Sequence, residues 1–169
     1  AGIYDDRNGI VTDPRTGQKF NDRDNKSGRA ILRAAASESV EVLLSADYTR
    51  QRNKATLGNA TAPLFQTNFA TGAVQLAPAN PNGAYDYKAS TSLLPGQGQR
   101  LDHWGVSGTV NVDLAANLEL TSITAYRGYD WENVQDSDYT VLDMLDTGIS
   151  EHQTQASQEI RFASDSANR

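Results

Sequence analysis

The sequence contains no cysteine, a single methionine and no long apolar run. Without cysteine there is no disulfide framework, and no stretch approaches the roughly 18 consecutive apolar residues of a helical membrane span. The formal net charge of −6 provides no basic surface, so we expect no nucleic-acid partner. Residues 1–7 lack the charged and apolar regions of a signal peptide. Because both ends of the chain adjoin strand-like segments, we expect it to be a piece of a longer protein.

What the sequence does contain is alternation of apolar and polar residues with a period of two. Between residues 101 and 114, alternation puts one apolar and one polar set on opposite faces of a β-strand. The apolar set is Trp104, Val106, Val110, Val112 and Leu114, and the polar set is Ser107, Thr109, Asn111 and Asp113. The short turn 115–117 then leads into a second strand-like segment, 118–131. The two segments and the turn between them predict a hairpin.

The same arrangement occurs earlier, where residues 28–36 lead through a turn at 37–39 into 40–50. A long connection, 53–99, joins the two hairpins, and its four prolines predict that it lacks regular structure. Six strands are predicted in all, at about 1–8, 24–36, 40–52, 100–114, 118–132 and 152–164. Tight turns at one end and long loops at the other are typical of outer-membrane β-barrels.

The fold class predicted for residues 1–169 is therefore all-β, with antiparallel up-and-down strands forming part of a transmembrane β-barrel with long extracellular loops. Some arginines inside predicted strands are expected to face the lumen, because charge is costly on the lipid face; they are Arg29, Arg33, Arg127 and Arg161. The apolar set of 104–114 is expected to face lipid. Imperfect alternation between Leu120 and Tyr126 predicts a β-bulge there.

No catalytic or metal-binding motif accompanies these strands. His103 and His152 lack the spacing of a zinc hydrolase, residues 105–108 are not a nucleophile elbow, and Asp22, Asp24 and Asn25 lack the spacing of a calcium loop. We therefore expect no enzymatic activity, no metal and no cofactor. The acidic residues between 130 and 146 leave two alternatives open, a solvated loop or a surface that contacts cations or lipopolysaccharide.

Aromatic residues provide the candidate ligand contacts. Trp104, Tyr126, Tyr129 and Trp131 lie near the loop ends of their strands, where they can form an interfacial girdle or stack on a ligand. Aromatics within the long loop can pack on one another or hold a ring-shaped ligand. The candidate ligand-binding residues are Phe65, Phe69, Tyr85, Tyr87, Tyr129 and Trp131.

Several phrases of the sequence resemble a known family. They are Leu-Thr-Ser-Ile-Thr-Ala-Tyr-Arg at 120–127, the aspartate-rich segment 129–138, and Gln-Ala-Ser-Gln-Glu-Ile-Arg-Phe-Ala-Ser at 155–164, with Asn-Asp-Arg-Asp at 21–24 and Leu-Ser-Ala-Asp-Tyr at 44–48 upstream. Together they are similar to the barrel domain of TonB-dependent outer-membrane receptors. The resemblance covers nearly the whole chain except the middle of the long loop.

The resemblance implies a plugged barrel of about 22 strands in the outer membrane of a Gram-negative bacterium. Its implied partners are outer-membrane lipid, a small-molecule ligand such as a siderophore-type chelate or an oligosaccharide, and the TonB energy-transducing complex, which would act through a plug domain that this sequence does not contain. A soluble secreted β-sandwich that binds carbohydrate or protein remains the alternative, because such a fold also has one polar and one apolar face per strand.

Overall fold

The computed structural model describes residues 1–60, 62–77 and 86–164. Its ten strands are β1 (Gly2–Arg7), β2 (Val11–Thr12), β3 (Lys19–Phe20), β4 (Arg23–Ser37), β5 (Val40–Lys54), β6 (Leu64–Thr67), β7 (Val74–Ala77), β8 (Gly98–Ala115), β9 (Leu118–Asp136) and β10 (Asp146–Ser164). All pairings between these strands are antiparallel, and none of the described residues is helical. The all-β antiparallel fold class is thus confirmed.

Six of the strands form one sheet in the order β1-β4-β5-β8-β9-β10. Each strand in this sheet pairs with its neighbours along the chain, apart from the small hairpins β2-β3 and β6-β7 inserted in two of the loops. The six predicted strands are all present in this sheet in up-and-down order, and the four short strands β2, β3, β6 and β7 were not predicted. Within the described residues the sheet is open, with β1 and β10 at its two edges.

The connections at one end of the sheet are short, and those at the other end are long. Residues 38–39 and 116–117 make tight turns at one end, and residues 8–22, 55–97 and 137–145 connect the strands at the opposite end. The predicted asymmetry is therefore confirmed. We call the second end the loop end.

The long connection is more structured than its prolines predict. It contains the β6-β7 hairpin, closed by a turn in which Gly72 has a φ of 67°, and Ala89, Thr91 and Leu93 in its second half are buried. Ala89 and Leu93 join Val11, Phe20, Ala55 and Leu57 in the hydrophobic core of the described residues, with Val134 packed against it. This core lies among the loops rather than under the sheet. Because the connection contains the β6-β7 hairpin, the prediction that it lacks regular structure is wrong.

The predicted β-bulge between Leu120 and Tyr126 is also wrong, because β9 pairs in continuous register with both neighbours there. Register shifts occur instead beside the two tight turns, at Ala35/Ser37 and Asp113/Ala115. Ser122 and Thr124, the polar residues that disturb the alternation, form hydrogen bonds with a polar residue of the neighbouring strand. Gln158 accepts a hydrogen bond from Thr124 (2.5 Å) and donates one to Ser122 (3.0 Å).

The strand register sorts the sheet into one apolar and one polar face. Residues directly opposite in an antiparallel pair share a face, and one row across the sheet is Ala30, Ala46, Val106, Tyr126 and Ala156. Large side chains on this apolar face are uncovered: Leu32 is 61% exposed, Val106 50% and Phe162 67%. The face also holds a shallow hollow of about 580 Å³ around Gly108.

The apolar face ends abruptly toward the loop end. Tyr48 lies directly opposite Trp104, and the ring of Trp104 meets that of Tyr126 edge-on at 5.2 Å. Beyond this aromatic row the same face becomes charged, with Arg52 paired to Asp102. Tyr129 and Trp131 have the opposite parity in β9 and lie on the polar face, so only Trp104 and Tyr126 of the four predicted girdle residues share the apolar face.

Candidate functional site

The six aromatic residues predicted to bind ligand are not brought together. Phe65 lies in β6 and Phe69 in the following turn, where it is 98% exposed. Tyr87 has a φ of 59°, and its carbonyl accepts a hydrogen bond from the Thr12 amide. Tyr129 donates a hydrogen bond to Glu151 (2.6 Å). Trp131 is the one member of the set that lines a cleft. Tyr85 lies outside the described residues.

Trp131 lines a cleft of about 530 Å³ at the loop end of the polar face, within the usual range of ligand pockets. The floor of the cleft comes from β4, β5, β8 and β9, and its rim comes from Arg7, Ile10 and the 55–56 segment. Four adjacent strands therefore position the lining side chains on a rigid support. Of the described aromatic residues predicted to bind ligand, only Trp131 lines this cleft.

Side-chain amides dominate the floor of this cleft. Asn53 of β5 lies directly opposite Gln99 of β8, and Gln99 lies opposite Asn133 of β9. Neighbouring strands are about 4.8 Å apart, so three amides form a row about 10 Å long. Asn25 and Gln135 also line the cleft. We call the row Asn53, Gln99 and Asn133 the amide row.

Most of the amide row is available to a ligand. Asn53 accepts a hydrogen bond from the Asp24 amide (2.9 Å), whereas among the described residues the side chains of Gln99 and Asn133 make no hydrogen bond. Asn25 Oδ1 is buried and has no hydrogen-bond partner among the described residues. A buried acceptor without a partner is costly, and a ligand donor is one way to satisfy it.

The charged residues beside the cleft are largely paired with one another. Asp22 accepts a hydrogen bond from the Lys54 amide (2.7 Å) and lies 3.4 Å from its ammonium group. Arg23 faces Asp5 at 3.6 Å. Arg7 donates to the Asn21 carbonyl (2.8 Å), which occupies part of its guanidinium.

The backbone at this corner is fixed by Asn21, whose φ is 58°. Its side-chain oxygen accepts a hydrogen bond from the Leu57 amide (2.7 Å), and its side-chain nitrogen donates to the Leu57 carbonyl (3.4 Å). These bonds hold the 55–57 segment against the cleft. The Asp22 and Asn25 oxygens, whose spacing does not fit a calcium loop, therefore belong to a hydrogen-bonded corner and to the cleft floor.

A buried carboxylate ties the loops together beside the cleft. Asp136 is fully buried and accepts hydrogen bonds from the Thr91 hydroxyl (2.7 Å) and the backbone amides of Ser92, Asp138 and Tyr139. The Thr91 carbonyl in turn accepts a hydrogen bond from the side chain of Arg15. All three long connections are thus joined through one node.

The acidic cluster predicted between 130 and 146 is accordingly only partly solvated. Burial, together with the charge of Asp136, raises the pKa of Asp146, although a hydrogen bond from Ser92 opposes the shift. Asp143 and Asp138 raise it further. A carboxylate whose pKa is raised on folding destabilises the folded state once the pH exceeds its ordinary value.

We expect Asp146→Asn to stabilise the 137–145 loop at pH 7, because the amide keeps the contact with Ser92 and removes the like charge. Hydrogen exchange in this loop should then be slower in the variant than in the wild type. The difference should shrink as the pH falls toward and below 3.8, the ordinary pKa of the carboxyl group, because the Asp146 carboxyl group then becomes protonated and neutral like the amide. Faster exchange in the variant at pH 7 would contradict this interpretation.

Farther from the loop end, the polar face holds ion pairs that cross strands. Arg127 of β9 reaches over Gly105 of β8 to Asp47 of β5, with a distance of 2.7 Å between Nη2 and Oδ1. A Cβ at position 105 would lie 2.6 Å from the Arg127 Nε, so glycine at this position lets the arginine side chain cross β8 without being displaced. Arg33 similarly pairs with Glu41 (2.6 Å).

The prediction that the strand arginines share the face of the charged residues agrees with the register. Arg29 and Arg127 lie in the row of Asp47, and Arg33 and Arg161 have the same parity along β4 and β10. The side chains predicted to face a lumen therefore do occupy one side of the sheet.

Sequence reasoning did not find the amide row. Its three members lie in three strands that are far apart in sequence, and each follows ordinary alternation. Only the register of β5, β8 and β9 places them side by side. The one signal in the sequence is that Trp131 and Asn133 lie two residues apart in β9. This spacing puts an aromatic ring and an amide on the same face of the strand.

Among the described residues no group of three or more histidine, cysteine, aspartate or glutamate side chains is arranged to hold a metal ion. No described helix is long and apolar enough to cross a membrane. Comparison of the chain with protein-family models, with curated proteins and with solved structures gives no match.

Proposed function

We propose that this chain forms part of the wall of an outer-membrane β-barrel, in an active transporter of the TonB-dependent type that imports a scarce nutrient into a Gram-negative bacterium. The observation that carries the proposal is the exposed apolar face of the sheet, together with its height and its borders. The family resemblance of residues 120–127 and 155–164 supports the same class of protein.

The height of the apolar face fits a bilayer. It extends from Val40 to Tyr48 in β5 and from Trp104 to Leu114 in β8, which matches the roughly 9–11 residues of a tilted transmembrane strand. One border is the pair of tight turns. The other is the aromatic row, as expected where amphipathic rings meet the lipid headgroups.

The distribution of charge supports the same orientation. Asp47, Arg127, Arg33 and Glu41 all lie on the face opposite the apolar one, where a water-filled or plugged lumen would receive them. On the apolar face, charge begins beyond the aromatic row, as at Asp102. Placing the charged face against lipid instead would cost about 2–4 kcal/mol for each midplane arginine.

The open edges of β1 and β10 need further strands, since unpaired backbone groups are not tolerated in the hydrocarbon region. We propose that strands outside this sequence close the barrel and that a plug domain, also outside it, meets the TonB complex. The loops at the loop end then cover the extracellular mouth. They would contribute to ligand capture together with the cleft beside Trp131.

A secreted β-sandwich fits less well. It would cover the apolar face with a second sheet, but the other described sheets are the two-stranded β2-β3 and β6-β7, and the large apolar side chains remain exposed. The role we propose is transport rather than catalysis.

The test is the solvent requirement of the natural gene product that carries this sequence. We expect it to fractionate with outer membranes, to need detergent for solubility, and to migrate on a denaturing gel differently before and after boiling, as a closed barrel that resists detergent should. A product that stays monomeric and folded in aqueous buffer without detergent would overturn the proposal and favour the sandwich.

A further inference from the structure

We infer that the cleft beside Trp131 binds a neutral saccharide, and that the amide row reads its hydroxyl groups. This inference deepens the proposed function by naming the class of nutrient, and rests on that proposal only for the direction of transport. The binding itself follows from the lining of the cleft.

The first argument is the kind of polar group present. A carboxamide offers two donors and two acceptor lone pairs without charge, so each amide can both give a hydrogen bond to a sugar hydroxyl and accept one from it. Gln99 and Asn133 are free to do so, and they are held side by side by the pairing of β8 with β9. Adjacent hydroxyls on a pyranose ring present matching donors and acceptors.

The second argument is the ring of Trp131 in the same cleft. Trp131 lies two residues from Asn133 on the same face of β9, and directly opposite Leu101 in β8. An aromatic surface beside polar groups suits a sugar, whose C–H face packs on the ring while its hydroxyls reach the amides. A ligand with uniform polarity would use only one of these features.

The third argument is the charge balance around the cleft. Lys54 is paired with Asp22, and Arg23 faces Asp5, so two of the three cations that line the cleft already have anionic partners. The third, Arg7, donates a hydrogen bond to the Asn21 carbonyl. A ferric chelate or an acidic sugar, which carries negative charge, would have to compete with those partners. The buried Asn25 Oδ1 calls for a donor, which a hydroxyl supplies and a carboxylate does not.

The length of the amide row sets the size of the ligand. Three amides spaced by about 4.8 Å cover a distance comparable to two linked sugar rings, and a cleft of about 530 Å³ accommodates a short oligosaccharide. We therefore expect a disaccharide or trisaccharide to bind better than a single ring.

The test uses the full-length natural gene product in detergent, with calorimetric titration of maltotriose, cellotriose, xylotriose, trigalacturonate and a ferric catecholate. We expect saturable binding of at least one neutral trisaccharide. Gln99→Ala and Asn133→Ala should each weaken it about five- to tenfold, as the loss of one or two ligand hydrogen bonds predicts. Trp131→Ala should weaken it more than tenfold, and Trp131→Phe should restore part of the loss.

Gln155→Ala is the matched control, because Gln155 is an amide on the same polar face opposite Arg127 but away from the cleft; its affinity should equal that of the wild type. Gel migration before and after boiling shows that each variant folds. Binding confined to trigalacturonate or to the ferric catecholate, or neutral binding unaffected by Gln99→Ala, Asn133→Ala and Trp131→Ala, would overturn the inference.

The two proposals fail separately in this design. A product that is soluble without detergent yet binds a neutral trisaccharide through Trp131 would overturn membrane transport and keep the saccharide site. A product that inserts in membranes but binds none of the three neutral trisaccharides would overturn the saccharide site and keep the barrel.

Discussion

Replacing Val110 with arginine is expected to block membrane insertion of the protein that carries this sequence. Val110 lies near the middle of the apolar stretch of β8, opposite Val42 and Ser122. At the bilayer midplane an arginine on the lipid face costs about 2–4 kcal/mol. The expected readout is a large loss of the heat-modifiable, membrane-inserted form in an outer-membrane fraction or in a refolding assay with lipid vesicles.

Asn111→Arg, one residue away, is the matched control. Asn111 lies on the polar face opposite Glu41 and accepts a hydrogen bond from Thr121 (2.9 Å). The change loses that bond but places the new cation beside a carboxylate, so insertion should fall far less than in Val110→Arg. Similar insertion of the two variants would show that this sheet does not present its apolar face to lipid.

Asp136→Ala is expected to release the loops at the loop end while leaving the sheet intact. Four donors lose their shared acceptor in a fully buried position, and hydrogen bonds to a charged group contribute about 1.5–3 kcal/mol each. We expect local destabilisation of about 3 kcal/mol or more. Hydrogen exchange and limited proteolysis should show the loss of protection in residues 89–94 and 137–145.

Asp130→Ala controls for the loss of one negative charge in β9. The Asp130 side chain is 65% exposed and contacts His152, so its removal should change exchange in the loops little. Loops that remain equally protected in Asp136→Ala would mean that the hydrophobic core around Phe20 and Leu93 holds them without the carboxylate.

Alternation in the sequence predicted the main strands because it records which face each residue occupies. Val106 to Leu114 and Val40 to Tyr48 follow a period of two, apart from Leu43 on the polar face, and the tight turns interrupt it at the positions predicted. Where the period is broken by Ser122 and Thr124, it was misinterpreted as a bulge. The interruption is instead compensated across the strand by Gln158, which lies in the neighbouring β10 and becomes a partner only through the register.

The loops were harder to predict for a different physical reason. Leu64 to Thr67 and Val74 to Ala77 are too short to stand out beside Pro63 and the polar residues around them, although they pair as a hairpin. Likewise, nothing local shows that Leu93 is buried, since its partners Val11 and Phe20 lie in another loop.

The candidate cleft was only partly predictable for the same reason. Trp131 was identified from its position near a strand end. Gln99 and Asn133 acquire their meaning from being neighbours across β8 and β9, which depends on how the strands align. The other predicted aromatics, such as Phe65 and Phe69, lie elsewhere in the loops.

The ion pair that passes over Gly105 bears on how the sheet assembles. Asp47 and Arg127 belong to strands that do not touch each other, and they meet only when β8 lies between them in one alignment. If β8 slipped by two residues, Ser107 or His103 would take the place of glycine beneath the guanidinium, and its side chain would push the guanidinium away from Asp47. A slip by one residue would turn the apolar face of β8 over. The absence of a side chain at residue 105 thus acts as an alignment check, one that is satisfied only after three strands have paired correctly.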